Sequence, residues 1–249
     1  MRIDVITLFP EVFSAVTQSG ITSRALKEGL WELFLWNPRD VTEDNHRTVD
    51  DRPYGGGPGM IMLAEPLKRT LEKIRQAGNT GPVVAFSPTG RVFNEADVAS
   101  MSAPASQYVF VCGRYEGIDE RFLENYVDVT LSIGDFVISG GELAAMVVID
   151  ALTRRLPGAI RDESAQDESF RTGLLDAPHY TRPELWEGKP VPEVLLGGHH
   201  ANIAAWTRRQ ALVRTARFRP DLLRAAAQAG LIDAKDREIL RQEGFQTDF

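Results

Sequence analysis

Two glycine-containing segments, each following a run of apolar residues, carry the residue types best suited to holding a ligand. The first runs from Tyr108 to Glu120 and is centred on Cys-Gly-Arg-Tyr-Glu-Gly, and the second runs from Leu131 to Leu143 and contains Ile-Gly-Asp-Phe and Ser-Gly-Gly-Glu. Glycine lets backbone amides and carbonyls approach a ligand because no Cβ stands in the way. Ligands of open α/β sheets bind at the carboxyl ends of strands. Either segment alone could be only a tight turn, but two so close together predict one binding site.

A third glycine-rich segment, residues 50–59, reads Asp-Asp-Arg-Pro-Tyr-Gly-Gly-Gly-Pro-Gly. It lacks the Gly-Lys-Ser/Thr of a P-loop, and methionine stands where the dinucleotide fingerprint needs its last glycine. An ATPase or an ordinary dehydrogenase is therefore disfavoured. The side chains of Asp50, Arg52 and Tyr54, followed by the permissive Gly55, suit a loop that closes over a planar or anionic substrate.

Metal and nucleophile chemistry have little support in the sequence. None of the four histidines has a metal-ligand spacing such as His-Glu-x-x-His, and no Gly-x-Ser-x-Gly elbow is present. The single cysteine, Cys112, lies in an apolar run, which is typical of a small core residue. One cysteine forms no disulfide within the chain, so a reducing cytoplasm is expected. Neither a signal peptide nor a membrane anchor is recognised.

The charge distribution gives two opposing indications about nucleic acid. A formal charge of −7 argues mildly against a phosphate-rich partner. Between His199 and Arg219, however, there are five arginines and no acid. Among them, Arg208, Arg209 and Arg214 could track phosphates. A solvated helix face that merely keeps the protein soluble explains this stripe equally well.

The hydrophobic pattern alternates between strands and helices, which predicts a mostly parallel sheet covered by helices. Strands are predicted at residues 3–8, 33–36, 83–87, 108–112 and 127–131, and helices at 23–28, 65–77, 94–101, 141–156, 201–217, 220–229 and 233–243. The composition becomes polar after the long helix. We therefore predict an α/β domain at 1–160, a flexible linker or lid at 161–177 and a helical domain at 178–249.

Charged residues near the end of the long helix could take part in acid–base chemistry. Arg154 lies in its last turn, where the helix dipole favours a cation in any case. The linker then supplies four carboxylates that could act as a general base if the segment orders over bound substrate: Asp162, Glu163, Asp167 and Glu168.

The sequence resembles the bacterial tRNA (guanine-N1)-methyltransferases from Met1 through at least Arg219. The strings that carry the resemblance follow in the family's order and spacing: Val49 to Met60, Cys112 to Asp119, Ser132 to Phe136 with Ser139 to Leu143, and His179 to Pro183. Several independent matches of this length exclude coincidence.

The resemblance implies a fold that no periodicity could reveal. The family belongs to the SPOUT class, whose mostly parallel sheet carries a deep trefoil knot, whereas chains are by default unknotted. A small all-α C-terminal domain is implied beside it. S-adenosylmethionine is implied to bind, bent, among the knot loops, at Phe86, Ser87, Pro88, Gly113, Glu116, Ile133, Gly134, Asp135, Phe136, Val137, Ile138, Gly140 and Gly141.

The implied reaction is methyl transfer to N1 of guanosine 37 in tRNAs that carry guanosine at position 36. A carboxylate must remove the N1 proton, and a cation near O6 stabilises the developing charge. Arg154 matches the family's arginine for the second role. The resemblance also implies a homodimer whose active sites are completed by the partner, which grips the anticodon branch of the tRNA. Whether a divalent cation takes part stays open.

The general base is where this chain departs from the family pattern. The family has an aspartate before Ser-Phe, whereas this chain reads Asp167-Glu168-Ser169-Phe170 in a linker one residue shorter. Alignment on Ser169-Phe170 makes Glu168 the base, and Asp167 is the alternative. Two rival functions remain: a catalytically silent RNA-binding SPOUT protein, and a SPOUT methyltransferase that acts on another RNA.

Overall fold

The computed structural model describes residues 1–160 and 168–247. The chain forms two compact units, residues 1–162 and 163–249. Among the linker carboxylates, Asp162, Glu163 and Asp167 lie outside the described residues, and Glu168 lies within them. Within the described ranges, no helix has the length and apolar character needed to cross a membrane.

The first unit is built on a five-stranded parallel sheet with the strand order β2-β1-β6-β5-β7. These strands are β1 (Arg2–Ile6), β2 (Glu32–Trp36), β5 (Val83–Val92), β6 (Gln107–Val111) and β7 (Val129–Ser132). A two-stranded antiparallel pair, β3 (Asp50–Asp51) and β4 (Ile61–Met62), brackets the third glycine-rich segment. The prediction of a mostly parallel sheet is therefore confirmed.

The apolar character of the central strands is explained by burial on both faces of the sheet. Successive residues of a strand point to opposite faces. Val5 and Phe110 accordingly join one core cluster, whereas Ile6, Val109 and Val111 join the other. Parallel sheets are covered on both faces in this way, because crossover connections place helices on either side.

The helices that cover this sheet begin and end close to the predicted residues. They are α1 (Ser14–Thr17), α2 (Gly20–Lys27), α3 (Ala64–Gln76), α4 (Glu95–Met101), α5 (Glu120–Tyr126) and α6 (Gly141–Arg155), with short 3-10 turns at Pro10–Phe13 and Pro38–Val41. Asn94 caps α4 as predicted and forms a capping box with Asp97. Helix α5 follows its own N-cap, Asp119, and was not predicted because only seven residues carry its pattern.

Strand β5 is longer than the sequence predicts. The strand was expected to end at Ser87, but the chain bulges and pairs again with β7, so that Leu131 lies opposite both Phe86 and Arg91. A Cβ on Gly90 would lie 2.6 Å from backbone carbons of β7. Glycine is therefore required where the two backbones meet, and residues 87–90 project from the carboxyl end of the first half of the strand.

The second unit is mainly helical, with α7 (Glu193–Leu196), α8 (His200–Phe218), α9 (Pro220–Gln228) and α10 (Ala234–Gln242). A small core of Leu174, Leu212, Leu223 and other apolar residues holds it together. The prediction of an all-α domain needs correction, because β8 (Leu185–Trp186) and β9 (Lys189–Pro190) form a hairpin. Its turn places Glu187 and Gly188 at positive φ.

Candidate functional site

The two glycine loops meet at the carboxyl edge of the sheet. The backbone N–H of Gly141 donates a hydrogen bond to the carbonyl oxygen of Gly113 at 2.9 Å. A Cβ on Gly141 would lie 2.7 Å from the Cα of Cys112, which is backbone and cannot swing aside. Glycine is thus needed for the N-terminus of α6 to approach the end of β6 so closely. The prediction that both loops lie together is correct.

A partly buried ion pair joins the same two loops. The Nε of Arg114 donates to Oε2 of Glu142 at 2.8 Å, and a guanidinium nitrogen of Arg114 donates to the carbonyl oxygen of Ser139 at 3.2 Å. Glu142 is only 1% exposed, and its other oxygen accepts a 2.8 Å hydrogen bond from the hydroxyl of Thr7, just after β1. Each carboxylate oxygen has a donor, as a buried charge requires.

The side chain of Arg114 is further fixed by apolar contact. Its guanidinium carbon lies 4.4 Å from the ring centroid of Phe9, which is a cation–π arrangement. A Cβ on Gly140 would overlap the Arg114 side chain. Arg114 therefore fills the space between the first glycine loop, the second glycine loop and the segment that follows β1.

The predicted substrate loop packs against the first glycine loop. The N–H of Glu116 donates to the carbonyl of Met60 at 3.0 Å, and the N–H of Met62 donates to the carbonyl of Gly117 at 2.9 Å. Gly59 adopts φ +79, and a Cβ there would lie 2.5 Å from the Glu116 side chain. Residues 50–62 and 113–118 therefore form one continuous surface.

Asp50 takes part in this contact through Tyr115. Burial raises the pKa of the Tyr115 hydroxyl, and a hydrogen bond to the Asp50 carboxylate raises it further. Arg39 also donates a hydrogen bond to that hydroxyl, at 3.2 Å. Tyr115 adopts φ +59, which is uncommon for an aromatic residue and indicates local strain. By contrast, Tyr54 is 99% exposed, and Gly55 follows it at φ +86.

The remaining predicted donor-binding residues lie at the same edge. Phe86 packs edge-on against Phe110 with ring centroids 5.4 Å apart, and Ser87 and Pro88 open the β5 bulge. Residues 133–138 follow β7, with Gly134 at φ +143. Phe136 and Val137 are 55% and 91% exposed, so this loop presents apolar side chains to solvent.

Arg154 is not brought to these loops within one chain. It lies in the last turn of α6, whereas the glycine loop lies at the first turn. At about 1.5 Å of rise per residue, the two ends are roughly 20 Å apart. The neighbouring Arg155 is engaged in an ion pair with Glu95.

The arginines of the second unit are largely engaged with acids that follow in the sequence. Arg208 binds Asp236 through two hydrogen bonds of 3.1 and 2.6 Å, and Arg209 donates to Glu243 at 2.8 Å. The sequence did not reveal these pairs because both acids lie on or beside α10, outside the segment 199–219 that contains the arginines. Arg214 differs, because its buried Nε has no hydrogen-bond partner among the described residues.

Metal and thiol chemistry gain no support from the geometry. Among the residues that the structure describes, no group of three or more His, Cys, Asp or Glu side chains is placed to hold a metal ion. Cys112 is fully buried, and burial raises the pKa of its thiol well above the usual value, with Glu142 acting in the same direction. A neutral, buried thiol is a poor nucleophile.

Sequence reasoning missed the residues that hold the loops together. Glu142 and Arg114 lie inside the glycine segments but were not singled out, and Thr7 and Phe9 are remote in sequence. A charged residue at the second position of α6, directly before the apolar run 143–149, was the available signal for Glu142.

Comparisons with known proteins agree with one another. The family model described as tRNA (Guanine-1)-methyltransferase TrmD matches residues 1–225. A tRNA (guanine-N(1)-)-methyltransferase of Ralstonia nicotianae is 55% identical over 243 residues, covering 96% of this chain and 92% of that protein. Proteins of the same name from Bordetella parapertussis and a Polaromonas species are 51% and 53% identical, and each alignment covers 96% of both chains.

Proposed function

Because the chain belongs to the tRNA (guanine-1)-methyltransferase family and methylates N1 of guanine in tRNA, we propose that its methyl donor is S-adenosylmethionine. We further propose that the methylated base is guanosine 37, in tRNAs that carry guanosine at position 36. The observation that carries this proposal is the meeting of the two glycine loops through Gly113, Gly141 and the Arg114–Glu142 pair. This places backbone amides, carbonyls and exposed apolar side chains at one edge of a parallel sheet.

The residues at this edge fit the proposed donor. Gly140 and Gly141 let the second glycine loop pack closely against Arg114 and the end of β6, and the exposed Phe136 and Val137 offer apolar contact to an adenine ring or an alkyl chain. Backbone groups along the two loops can recognise the polar edges of the adenosine. When bound, S-adenosylmethionine supplies an electrophilic methyl group. The proposed contacts are Phe86, Ser87, Pro88, Gly113, Glu116, the loop 133–138, Gly140 and Gly141.

Guanine N1 carries a proton and is a poor nucleophile until that proton leaves. We assign its removal to the carboxylate of Glu168, with Asp167 as the alternative. The guanidinium of Arg154 stabilises the negative charge that develops on O6 as N1 loses its proton. The substrate loop closes over the target base from the surface beside the first glycine loop. It carries Asp50, Arg52 and Tyr54, and Gly55 serves as its hinge.

The position of Arg154 supports the proposal of a homodimer. If Arg154 acts near the donor loops, about 20 Å of α6 separates it from the loops of its own chain. Two α6 helices packed antiparallel about a twofold axis would bring Arg154 of the partner subunit to these loops. Leu143 and Val147, four residues apart on α6, are half exposed and form the apolar stripe that such packing needs.

The second unit binds the anticodon branch, with Arg214 on α8 and, once released from their acids, Arg208 and Arg209 as phosphate contacts. We place the enzyme in the cytoplasm. We also propose that its chain forms a SPOUT-type trefoil knot at the β5–β7 edge of the sheet. No divalent cation is assigned a role.

The test is methyl transfer from radiolabelled S-adenosylmethionine to tRNA transcripts. A transcript with guanosines 36 and 37 should gain label at N1 of guanosine 37, and a matched transcript with adenosine 37 should gain none. Label at a ribose 2′-hydroxyl or only in ribosomal RNA would contradict the proposed target. Absence of label altogether, with the donor still bound, would indicate a catalytically silent RNA-binding protein.

A further inference from the structure

The turn that carries Glu168 is closed by backbone hydrogen bonds within the second unit. The N–H of Phe170 donates to the carbonyl of Leu174 at 2.7 Å, and the N–H of Gly173 donates back to the carbonyl of Phe170 at 3.1 Å. Both Phe170 and Gly173 adopt positive φ, +74 and +78. Residues 168–177 were expected to be a flexible linker, yet this part of it is a tight, hydrogen-bonded turn.

Apolar packing fixes the closed end of this turn. Leu174 is 1% exposed and belongs to the small core of the second unit. A Cβ on Gly173 would lie 3.0 Å from Leu231 and 3.3 Å from Ala226, so the backbone of the turn lies directly on α9 and the segment that follows it. The turn therefore moves with the helices of this unit.

Polar contacts then connect α8 to the residue next to Glu168. The hydroxyl of Thr215 accepts a 2.9 Å hydrogen bond from the N–H of Leu175. The next residue, Asp176, donates its N–H to Oγ of Ser169 at 2.9 Å. Ser169 directly follows Glu168 in the chain. Two hydrogen bonds and two peptide links thus lead from the last turn of α8 to the proposed base.

Thr215 is the buried end of this connection. Its side chain is fully buried, and its hydroxyl donates to the carbonyl of Ala211, four residues earlier, while it accepts from Leu175. A threonine inside a helix commonly donates in this way. The hydroxyl of Thr215 in addition accepts a hydrogen bond from the N–H of Leu175 in another segment, and without this acceptor that partly buried N–H would be left unsatisfied.

We propose that Thr215 is a positioning residue for methyl transfer, which sets the place of the Glu168 carboxylate through Leu175, Asp176 and Ser169. This rests on the proposed role of Glu168 as the base. Arg214, a proposed phosphate contact, is adjacent to Thr215 on the same helix. The element that grips the RNA therefore also holds the turn that carries the base.

The experiment measures single-turnover methyl transfer with saturating tRNA and donor. Thr215→Val keeps the shape but removes the acceptor, and it should lower the single-turnover rate about 10- to 100-fold, because small displacements of a catalytic group have effects of this size. Thr215→Ser keeps the hydroxyl and should stay within about twofold of the wild type. Donor and tRNA dissociation constants should change little in both variants.

Thr70 offers a matched control. It is 1% exposed in α3, and its hydroxyl donates to the carbonyl of Pro66 four residues earlier at 2.7 Å, as Thr215 does to Ala211. No N–H from another segment is recorded at its hydroxyl among the described residues. Thr70→Val should therefore lower the melting temperature without lowering the single-turnover rate at a permissive temperature. If Thr215→Val fails to fold, Ser169→Ala removes the next link, at a partly exposed site.

The double variant Thr215→Val/Glu168→Gln distinguishes a positioning role of Thr215 from a general loss of stability. If Thr215 acts through Glu168, Thr215→Val adds no further loss in the Glu168→Gln background. Equal fold-losses in both backgrounds, or an unchanged rate in Thr215→Val, would overturn the inference while leaving Glu168 as the base. Full activity of Glu168→Gln alone would instead remove the proposed base, and this inference with it.

Discussion

The guanidinium of Arg114 and the carboxylate of Glu142 meet at 2.8 Å in a partly buried contact between the two glycine loops. Glu142 also binds Thr7, and Arg114 also binds the Ser139 carbonyl and lies over Phe9. One ion pair therefore fixes the distance between the end of β6, the loop after β7 and the start of α6.

Replacing Arg114 by lysine should weaken donor binding. Lysine keeps the charge but cannot supply the planar fork that reaches both Glu142 and the Ser139 carbonyl. We expect the dissociation constant of S-adenosylmethionine, measured by calorimetry, to rise about tenfold, which corresponds to about 1.4 kcal/mol. Arg121→Lys alters an exposed pair with Asp119 and should leave the affinity unchanged. Equal affinity of the Arg114→Lys variant and the wild type would contradict a positioning role.

Replacing Gly141 by alanine should separate the loops. The new methyl group would lie 2.7 Å from the Cα of Cys112, so the start of α6 must move away from β6. Donor affinity should fall at least tenfold, by about 1.4 kcal/mol or more. Gly197→Ala is the matched control, because Gly197 has φ −82 and its nearest neighbour is a side chain at 3.6 Å. A donor affinity preserved in Gly141→Ala would discredit the assignment of these loops.

Removing the proposed base should affect chemistry rather than binding. We expect Glu168→Gln to lower the single-turnover rate by about 10²- to 10⁴-fold, the usual contribution of a general base, with little change in donor affinity. Asp167→Asn serves as the comparison because it removes the adjacent carboxylate. If Asp167→Asn causes the loss and Glu168→Gln does not, the base is Asp167.

Mixing two inactive variants tests whether active sites are shared between subunits. Arg154→Ala keeps an intact donor pocket. Gly141→Val, whose larger side chain should abolish donor binding, keeps an intact Arg154. If Arg154 acts on the partner's pocket, half of the randomly mixed dimers contain one complete site, so activity returns to about a quarter of the wild-type value. If Arg154 acts within its own chain, every site in the mixture lacks one component and the activity stays lost.

The Arg208–Asp236 pair should make the second unit sensitive to acid. Burial alone would raise the pKa of Asp236, but the hydrogen bonds from Arg208 and the backbone outweigh it, so the pKa is lowered in the folded state. A lowered pKa contributes stability above the unfolded-state value, near 3.9, that is lost as the pH falls through the folded-state value. The melting temperature should therefore fall less steeply between about pH 5 and pH 3 in Asp236→Asn than in the wild type.

An exposed pair supplies the control for this pH dependence. Arg219 lowers the pKa of Asp221 to about 2, but both side chains lie in solvent, where salt and water screen the interaction. Asp221→Asn should therefore change the pH dependence of the melting temperature less than Asp236→Asn does. Added salt should remove any remaining difference between Asp221→Asn and the wild type. A steeper acid loss in Asp236→Asn than in the wild type would contradict the assigned role of the pair.

The sequence predicts the parallel sheet because the pattern is local. Val109 and Val111 alternate with Phe110 between two cores, and strands buried on both faces read as continuous apolar runs. The helix bounds follow for the same reason, since Asn94 and Asp233 are capping residues that act within one turn.

Long-range contacts are what local patterns could not reveal. Thr7 and Glu142 are 135 residues apart in the chain, and Arg208 meets Asp236 from a different helix. The return of β5 after its bulge was missed because Pro88 and Gly90 normally end a strand, and only the approach of the β7 backbone explains why glycine is needed there. The turn that carries Glu168 was not predicted because it buries one large apolar side chain, that of Leu174, and a single apolar residue forms no recognisable pattern.

The most direct test of the account is a crystal structure of the protein with S-adenosylmethionine. We predict electron density for the donor between residues 113–118 and 133–141, with the adenosine against the loop after β7 and the Arg114–Glu142 pair intact beneath it. Density for the donor at any other place in the molecule would contradict the assignment of these two loops as the methyl-donor site.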